Sequence, residues 1–329
     1  MLVLDAVHPA AGASGIAAGL VNPLSGRNAK AVWRLDEALE ALHAMLDEAR
    51  TTAFFQQGGV LRPTADAEQA NRFQTVAARR PHHASWLSAE AVHERFSWIT
   101  APEGALLVRQ GGALPVLAFV HALLAAAQRR HAEVRIGTRV TGWGEETHRA
   151  YVDLGHEQGT ERIFARRVLL AMGYDYHKHP ELTALNLHPV KGQTVRVACP
   201  GALLRHDLIP LAGQGYVVPD GDTLVVGSSY ERGFADLLPS EAQTQAILAT
   251  AAYMLPLLKN ALVLDATAGV RVTVPGTRLP MLGPLPGRSR IWLFTGLSSK
   301  GLLLAPLLAC SLPTYFEQPD RIPRALQVR

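Results

Sequence analysis

The chain opens on a short apolar run, Leu2-Val3-Leu4, closed by the carboxylate of Asp5, and this reads as the end of a buried strand. A loop of small residues, 10–19, follows. Over residues 28–50 apolar positions recur at Val32, Leu35, Leu39, Leu42 and Leu46, the spacing of a helix that buries one face. Residues 51–102 mix short polar and aromatic pieces, including Trp86 and Trp98. Residues 113–130 predict a second helix, apolar on most faces, and residues 133–140 alternate like a strand. Residues 162–166 alternate weakly, and Val168-Leu169-Leu170-Ala171-Met172-Gly173 reads as a strand running into a tight turn. Several short strands fill 190–230, with turn signals at Ala212-Gly213-Gln214-Gly215 and Asp220-Gly221-Asp222. Ser240 opens a helix that runs through Leu255 and is ended by Pro256. Residues 269–274 and 291–295 read as strands, and a last glycine turn leads into a final helix. Strands and helices alternate at both ends, with a more purely β stretch between them. The fold class expected is α/β, a dinucleotide domain interrupted by a sheet-based substrate domain.

Composition narrows this without redirecting it. Of 329 residues 48% are hydrophobic and 18% charged, the balance of a soluble globular chain with a sizeable core. The 28 Gly and 21 Pro are dispersed and act as loop punctuation. A net charge of +4 permits an acidic partner, RNA included, without arguing for one. Arg129-Arg130-His131 sits where a helix should end, and cations at a helix C-terminus explain it. Cys199 and Cys310 have no metal-binding or disulfide spacing, which fits a reducing cytoplasm. No secretory signal is legible at Met1-Leu2-Val3-Leu4, and residues 301–312, the most apolar stretch, are too few to span a bilayer.

Two features carry candidate chemistry. In a Rossmann unit an acidic residue about 20 positions after the glycine fingerprint bonds the ribose hydroxyls. Asp5 ends an apolar strand as that role demands, although an ordinary turn residue would look the same. No G-x-G-x-x-G occurs in the chain; Gly213-Gln214-Gly215 lacks the third glycine and leads into a β pattern. With Asp5 as ribose ligand, the fingerprint unit would lie roughly 25 to 30 residues upstream of Met1. The second feature is Gly12-Ala13-Ser14-Gly15-Ile16-Ala17-Ala18-Gly19-Leu20. Small residues let backbone N–H groups approach a bulky anionic or aromatic ligand, and composition alone leaves a flexible loop equally open.

The stretch from Leu4-Asp5 through Gly12-Ala13-Ser14-Gly15 to Ala18-Gly19-Leu20 resembles the second strand and following loop of the D-amino-acid oxidase/glycine oxidase superfamily. Later segments resemble that family in the same order. They are Gln110-Gly111-Gly112-Ala113-Leu114-Pro115, then Gly137-Thr138-Arg139-Val140, then the strand ending Ala171-Met172-Gly173, and last Gly296-Leu297-Ser298-Ser299-Lys300-Gly301-Leu302. The resemblance implies an FAD cofactor. Asp5, Ser14, Gly15, Ala17, Ala18, Gly19, Leu20, Val140, Ala171, Gly173 and residues 296–302 would line it, with no metal. A helix N-terminus would face the pyrimidine end of the ring, where it favours negative charge. Val190-Lys191-Gly192-Gln193, the segment Val226-Gly227-Ser228-Ser229-Tyr230-Glu231-Arg232-Gly233, and Leu279-Pro280-Met281-Leu282-Gly283 lean toward one branch. They resemble the FAD domain of the bifunctional tRNA wobble-uridine enzyme of MnmC type, which oxidatively removes carboxymethyl from a carboxymethylaminomethyl group. Lys300 stands where the family turn carries Arg, keeping charge but not a bidentate fork.

Oxidising such a substrate requires gripping its carboxylate, keeping its amine neutral and placing the C–H over the flavin. A fixed arginine is the best grip. The resemblance places it at Arg271, which spacing alone would read as a surface residue. Tyr216 resembles a pocket tyrosine, with Tyr230 and Arg232 weaker candidates. His82-His83 and His177-Lys178-His179 read as solvated surface, and no G-x-S-x-G elbow supports a hydrolase. The implied organisation is an FAD-binding domain of 1–55, 103–188 and 286–329, its N-terminal βα unit absent, interleaved with an antiparallel-sheet substrate domain of 56–102 and 189–285. The expected activity is FAD-dependent oxidation of the C–N bond of an amino acid or N-carboxymethyl amine, the latter presented on tRNA. Glycine or D-amino-acid oxidation is the nearest alternative, and a shortened non-catalytic relative acting as a binding module is the alternative of another class.

Overall fold

A computed structural model describes residues 1–156 and 159–329. Its largest element is an eight-stranded sheet. Across it, in order, run Val263–Thr273, His188–Ala198, Thr223–Gly227, Gly215–Asp220, Leu211–Gly213, Val60–Pro63, Ala105–Val108 and Ala84–Leu87. All neighbours are antiparallel except the pair Leu61 and Leu211, where the sheet's two halves meet in parallel. Each glycine-marked turn of the sequence falls at a hairpin tip: Gly213 pairs with Gly215, and Asp220 with Thr223. Val195, Val197, Val217 and Val226 alternate onto one face and bury against the helix Glu241–Ala251. Ser240 caps that helix by accepting from the Gln243 N–H.

The parallel part of the fold is in two pieces. Leu2–Asp5 pairs in parallel with Glu133–Ile136, and Val168–Leu170 pairs in parallel with Ile291–Thr295, which also pairs with Met281–Pro284. Among the described residues no strand joins the two pieces. Three helices, Leu35–Ala49, Val116–Arg129 and Gly301–Glu317, share a core with Val60, Leu106 and Val108 of the large sheet.

The long helix expected over 28–50 is shorter than its apolar spacing. Val32 is buried on schedule, but residues 30–31 pair as a strand with Leu24–Ser25, and Arg34 sits at φ 51°, so the helix starts at Leu35. Strand 133–140 is likewise broken by Gly137 at φ 70° and resumes at Val140. The final helix contains Pro306 and Pro313 and still runs to Glu317. Among the described residues no helix is long and apolar enough to cross a membrane, and no cluster of His, Cys, Asp and Glu could hold a metal.

Candidate active site

The face of the large sheet opposite the Glu241–Ala251 helix carries a trough made by omitting side chains. Gly192 lies directly across from Gly269, and one row further along its strand Thr194 lies between Gly227 and Thr267. Opposite residues of an antiparallel pair point to the same face, so Gly192, Gly227 and Gly269 form one floor. Each supports a different wall. A Cβ at Gly192 would stand 2.7 Å from Arg271 Nη2, one at Gly227 would collide with the Tyr216 hydroxyl, and one at Gly269 would stand 2.9 Å from Ile16 Cδ1.

Arg271 reaches this floor from the end of its strand, opposite Val190. Its guanidinium is half-buried and donates to the Ser229 carbonyl at 3.4 Å. The Tyr230 ring flanks it, its centroid 5.8 Å from the guanidinium carbon. Among the described residues no carboxylate pairs with Arg271, so the charge is free to take a ligand's. Tyr216 lies across Gly227 from the neighbouring strand. Burial pushes its hydroxyl up from the ordinary tyrosine range, while the Arg271 charge and Ser228 act the other way. Tyr230 is 60% exposed and stands at the rim.

The small-residue loop meets the same trough. Thr194 Oγ1 reaches the Ile16 carbonyl at 3.5 Å, and Ile16 and Ala13 lie over Gly269. The loop's course depends on two glycines. At Gly15 a side chain would strike the Ala10 carbonyl, and at Gly19, φ 73°, the Leu114 carbonyl. Ser14, Gly15 and Ala17 are exposed, Ala18 and Leu20 half-buried, and Gly19 buried. Leu20 pairs with Ala113.

The last glycine turn reaches the trough from the other end of the sequence. Leu297 bridges Thr273, and the Ser298 N–H donates to the Val272 carbonyl at 3.1 Å, one residue from Arg271. Gly296 and Ser298 take φ 76° and 52° to make this turn. Lys300 is half-buried at the start of the final helix. Burial pushes its ammonium below the usual lysine range, and Lys30 and Arg278 push the same way. Among the described residues none of these three cations has a carboxylate partner, so the helix end lacks a counter-charge. Ser299 is exposed, and Gly301 and Leu302 half-buried. The turn after Val168–Leu170 converges too, since Met172 and Tyr174 pack with Val272 and Val274, leaving Ala171 and Gly173 exposed.

A third cluster lies at the paired ends of Leu2–Asp5 and Glu133–Ile136. The Thr138 N–H donates to the Asp5 carbonyl at 2.8 Å, while the Asp5 carboxylate accepts from the Val7 N–H at 2.9 Å. Val140 follows, half-buried. Gly12, Gly137, Gly173 and Gly301 have nothing within 4 Å of a would-be side chain. These open glycines, and the unbalanced cation at Lys300, fit a long flat anionic cofactor such as FAD.

The sequence did not single out the three floor glycines as a set, because their alignment depends on strand register. It also misplaced two histidines as solvated surface. The His83 side chain is only 12% exposed and bridges Gln110 and Asp36, 3.2 Å from the latter. His179 packs on Trp143 at 4.5 Å, where burial lowers its pKa. His177 is exposed and stacks on Tyr174.

Known proteins share this fold and sequence. A crystal structure of glycine oxidase from Geobacillus kaustophilus superposes with a TM-score of 0.83 at 22% identity, covering 98% of this chain and 91% of that one. The tRNA 5-methylaminomethyl-2-thiouridine biosynthesis bifunctional protein MnmC of Hahella chejuensis is 29% identical over 84% of this chain. A glycine oxidase of Pseudomonas aeruginosa is 32% identical over 53% of it. The chain spans only 42% and 47% of those two relatives' lengths. The model of the DAO family, FAD dependent oxidoreductase, matches residues 1–310. The chain belongs to the DAO family of FAD-dependent oxidoreductases.

Proposed function

We propose that this protein oxidises the C–N bond of an N-carboxymethyl amine, and that the amine is the carboxymethylaminomethyl arm of a uridine presented on tRNA. One observation carries the reading: an arginine that has no carboxylate partner among the described residues and a buried tyrosine hydroxyl face each other over a glycine floor, where turns from both ends of the sequence meet. Arg271 grips the substrate's acid group through its planar fork, and Tyr216 donates a hydrogen bond to the same group. Gly192 and Gly227 let both groups lie flat, so the methylene between acid and nitrogen is held at a fixed place above the sheet. Residues 12–20 and 296–302 would hold FAD, which would supply the two-electron oxidant for that carbon. The nitrogen lone pair would form the C=N bond and its proton would leave to solvent, and water would split that imine into the free amine and glyoxylate, the aldehyde acid that carries the former methylene carbon.

Support for the tRNA-borne arm comes from the breadth of the match. Similarity to MnmC proteins extends over 84% and 94% of the chain, whereas the two Pseudomonas glycine oxidases match 53% and 40%. The test is bleaching of the bound flavin's absorbance, near roughly 450 nm for an oxidised flavin. It is run with tRNA bearing carboxymethylaminomethyl-uridine, with glycine and with sarcosine. Bleaching by the tRNA is expected. Bleaching by glycine or sarcosine alone would move the assignment to amino-acid oxidation, and bleaching by none would sink it.

A further inference from the structure

We infer that Arg232 is a specificity-determining residue that takes a phosphate of the substrate while Arg271 takes its carboxylate, so that the site selects an acid arm carried on a nucleotide. This deepens the functional reading above and rests on it. The two guanidinium carbons stand at equal distances, 5.8 Å, from the centroid of one ring, that of Tyr230. Their separation therefore cannot exceed twice that distance, which is the reach of a single nucleotide with a short side arm. Arg271 is half-buried over the floor, while Arg232 and Tyr230 are exposed, so one cation lies inside the site and the other at its mouth.

The loop's own acids do not neutralise Arg232. Glu231 accepts from Ser229 Oγ at 2.8 Å, and Asp236 is held by Lys191 Nζ at 3.3 Å and by the Leu238 N–H at 2.9 Å. Among the described residues Arg232 has no carboxylate or carbonyl partner, and its contact is the Tyr230 face. The mount is fixed, unlike that of an ordinary surface arginine. Lys191, with a side chain 7% exposed, exchanges two backbone hydrogen bonds of 2.9 Å with Glu231. The Ser229 N–H donates to the Gln193 carbonyl at 3.1 Å, and Phe234 packs on Tyr174 at 5.9 Å. A guanidinium held over an aromatic face, with its fork unspent, suits a phosphate oxygen pair. A substrate with one acid group, such as glycine, would engage Arg271 and leave Arg232 idle.

The experiment compares carboxymethylaminomethyl-uridine as the nucleoside and as its 3′,5′-bisphosphate, with wild-type holoenzyme, Arg232→Gln, Arg232→Lys and Arg271→Lys. Wild type should show kcat/KM for the bisphosphate about tenfold above the nucleoside, expressed in KM and weakened by salt. Arg232→Gln should abolish that ratio, Arg232→Lys should restore much of it, and Arg271→Lys should depress both substrates alike. Equal kcat/KM for the two substrates in wild type, or an undiminished ratio in Arg232→Gln, overturns the inference. Should wild type oxidise neither, the functional reading fails instead, and the phosphate site is then read separately by thermal shift. Uridine 3′,5′-bisphosphate, but not uridine, should raise Tm of wild type and not of Arg232→Gln; no shift in wild type overturns the inference there too.

Discussion

The guanidinium of Arg271 lies directly over the backbone of Gly192, so close that a single methyl group on residue 192 would stand 2.7 Å from Nη2. The relationship crosses two strands and joins residues 79 positions apart by their numbering. It ties the orientation of Arg271, the residue proposed to grip the acid group, to the absence of a side chain.

Gly192→Ala should therefore act as a displaced-arginine variant. The clash is with the end of a flexible side chain, so the fold should survive and the flavin spectrum persist. Loss of an aligned charge-assisted bond is worth about 1.5–3 kcal/mol, or roughly a ten- to hundredfold loss in kcat/KM carried by KM. Steady-state kinetics on the preferred substrate check it; unchanged KM would mean that Arg271 is not set by this contact.

Tyr216 gives a pH prediction. Burial holds its folded pKa above the ordinary value of about 10, so the fold favours the protonated hydroxyl. Its contribution is fully present below that ordinary value and is lost as pH rises through it toward the folded pKa. Tyr216→Phe removes the titration, so urea midpoints of wild type should fall more between about pH 8.5 and 11 than those of the variant. Parallel declines would refute the burial argument.

Lys300 predicts two effects of opposite sign. Its ammonium is disfavoured by burial and by Lys30 and Arg278, so Lys300→Met should raise the melting temperature of the cofactor-free protein at neutral pH. The same change should weaken FAD binding roughly five- to tenfold by removing charge at a helix start. Differential scanning fluorimetry with and without added FAD reads both, and an equal FAD-induced rise in the two proteins would contradict the assignment.

Arg62, 4% exposed, is a buried cation that no local pattern in the sequence marks. It donates to the carbonyls of Leu24, Gly26 and Ala212 and lies 4.8 Å from the Phe73 ring. Burial alone lowers its pKa to about 10. Replacing it with Met leaves three carbonyls without their donor and should cost about 2–4 kcal/mol. A urea midpoint matching that of wild type would show those carbonyls finding other donors.

What the sequence disclosed, and what it hid, follows from how local each signal is. The strand end at Asp5 and the turn at Gly173 were legible because each is written in adjacent residues. The start of the first long helix was misread because apolar spacing continues through Val32 although Arg34 takes a left-handed conformation. The trough was illegible because Gly192, Gly227 and Gly269 align only once strand register is known. His83 looked solvated because Asp36 and Gln110, which enclose it, lie far along the chain.

The glycine floor also limits how this active site can be altered by mutation. Its depth is set by main chain in three adjoining strands, and the smallest enlargement available at any of the three positions already intrudes on a wall. Gradual change of substrate preference is thereby denied to the base of the pocket and left to the segment that carries Tyr230 and Arg232, whose side chains are exposed. Relatives sharing this floor should diverge in what they oxidise through replacements along that outer edge, while an arginine stays at the position of Arg271.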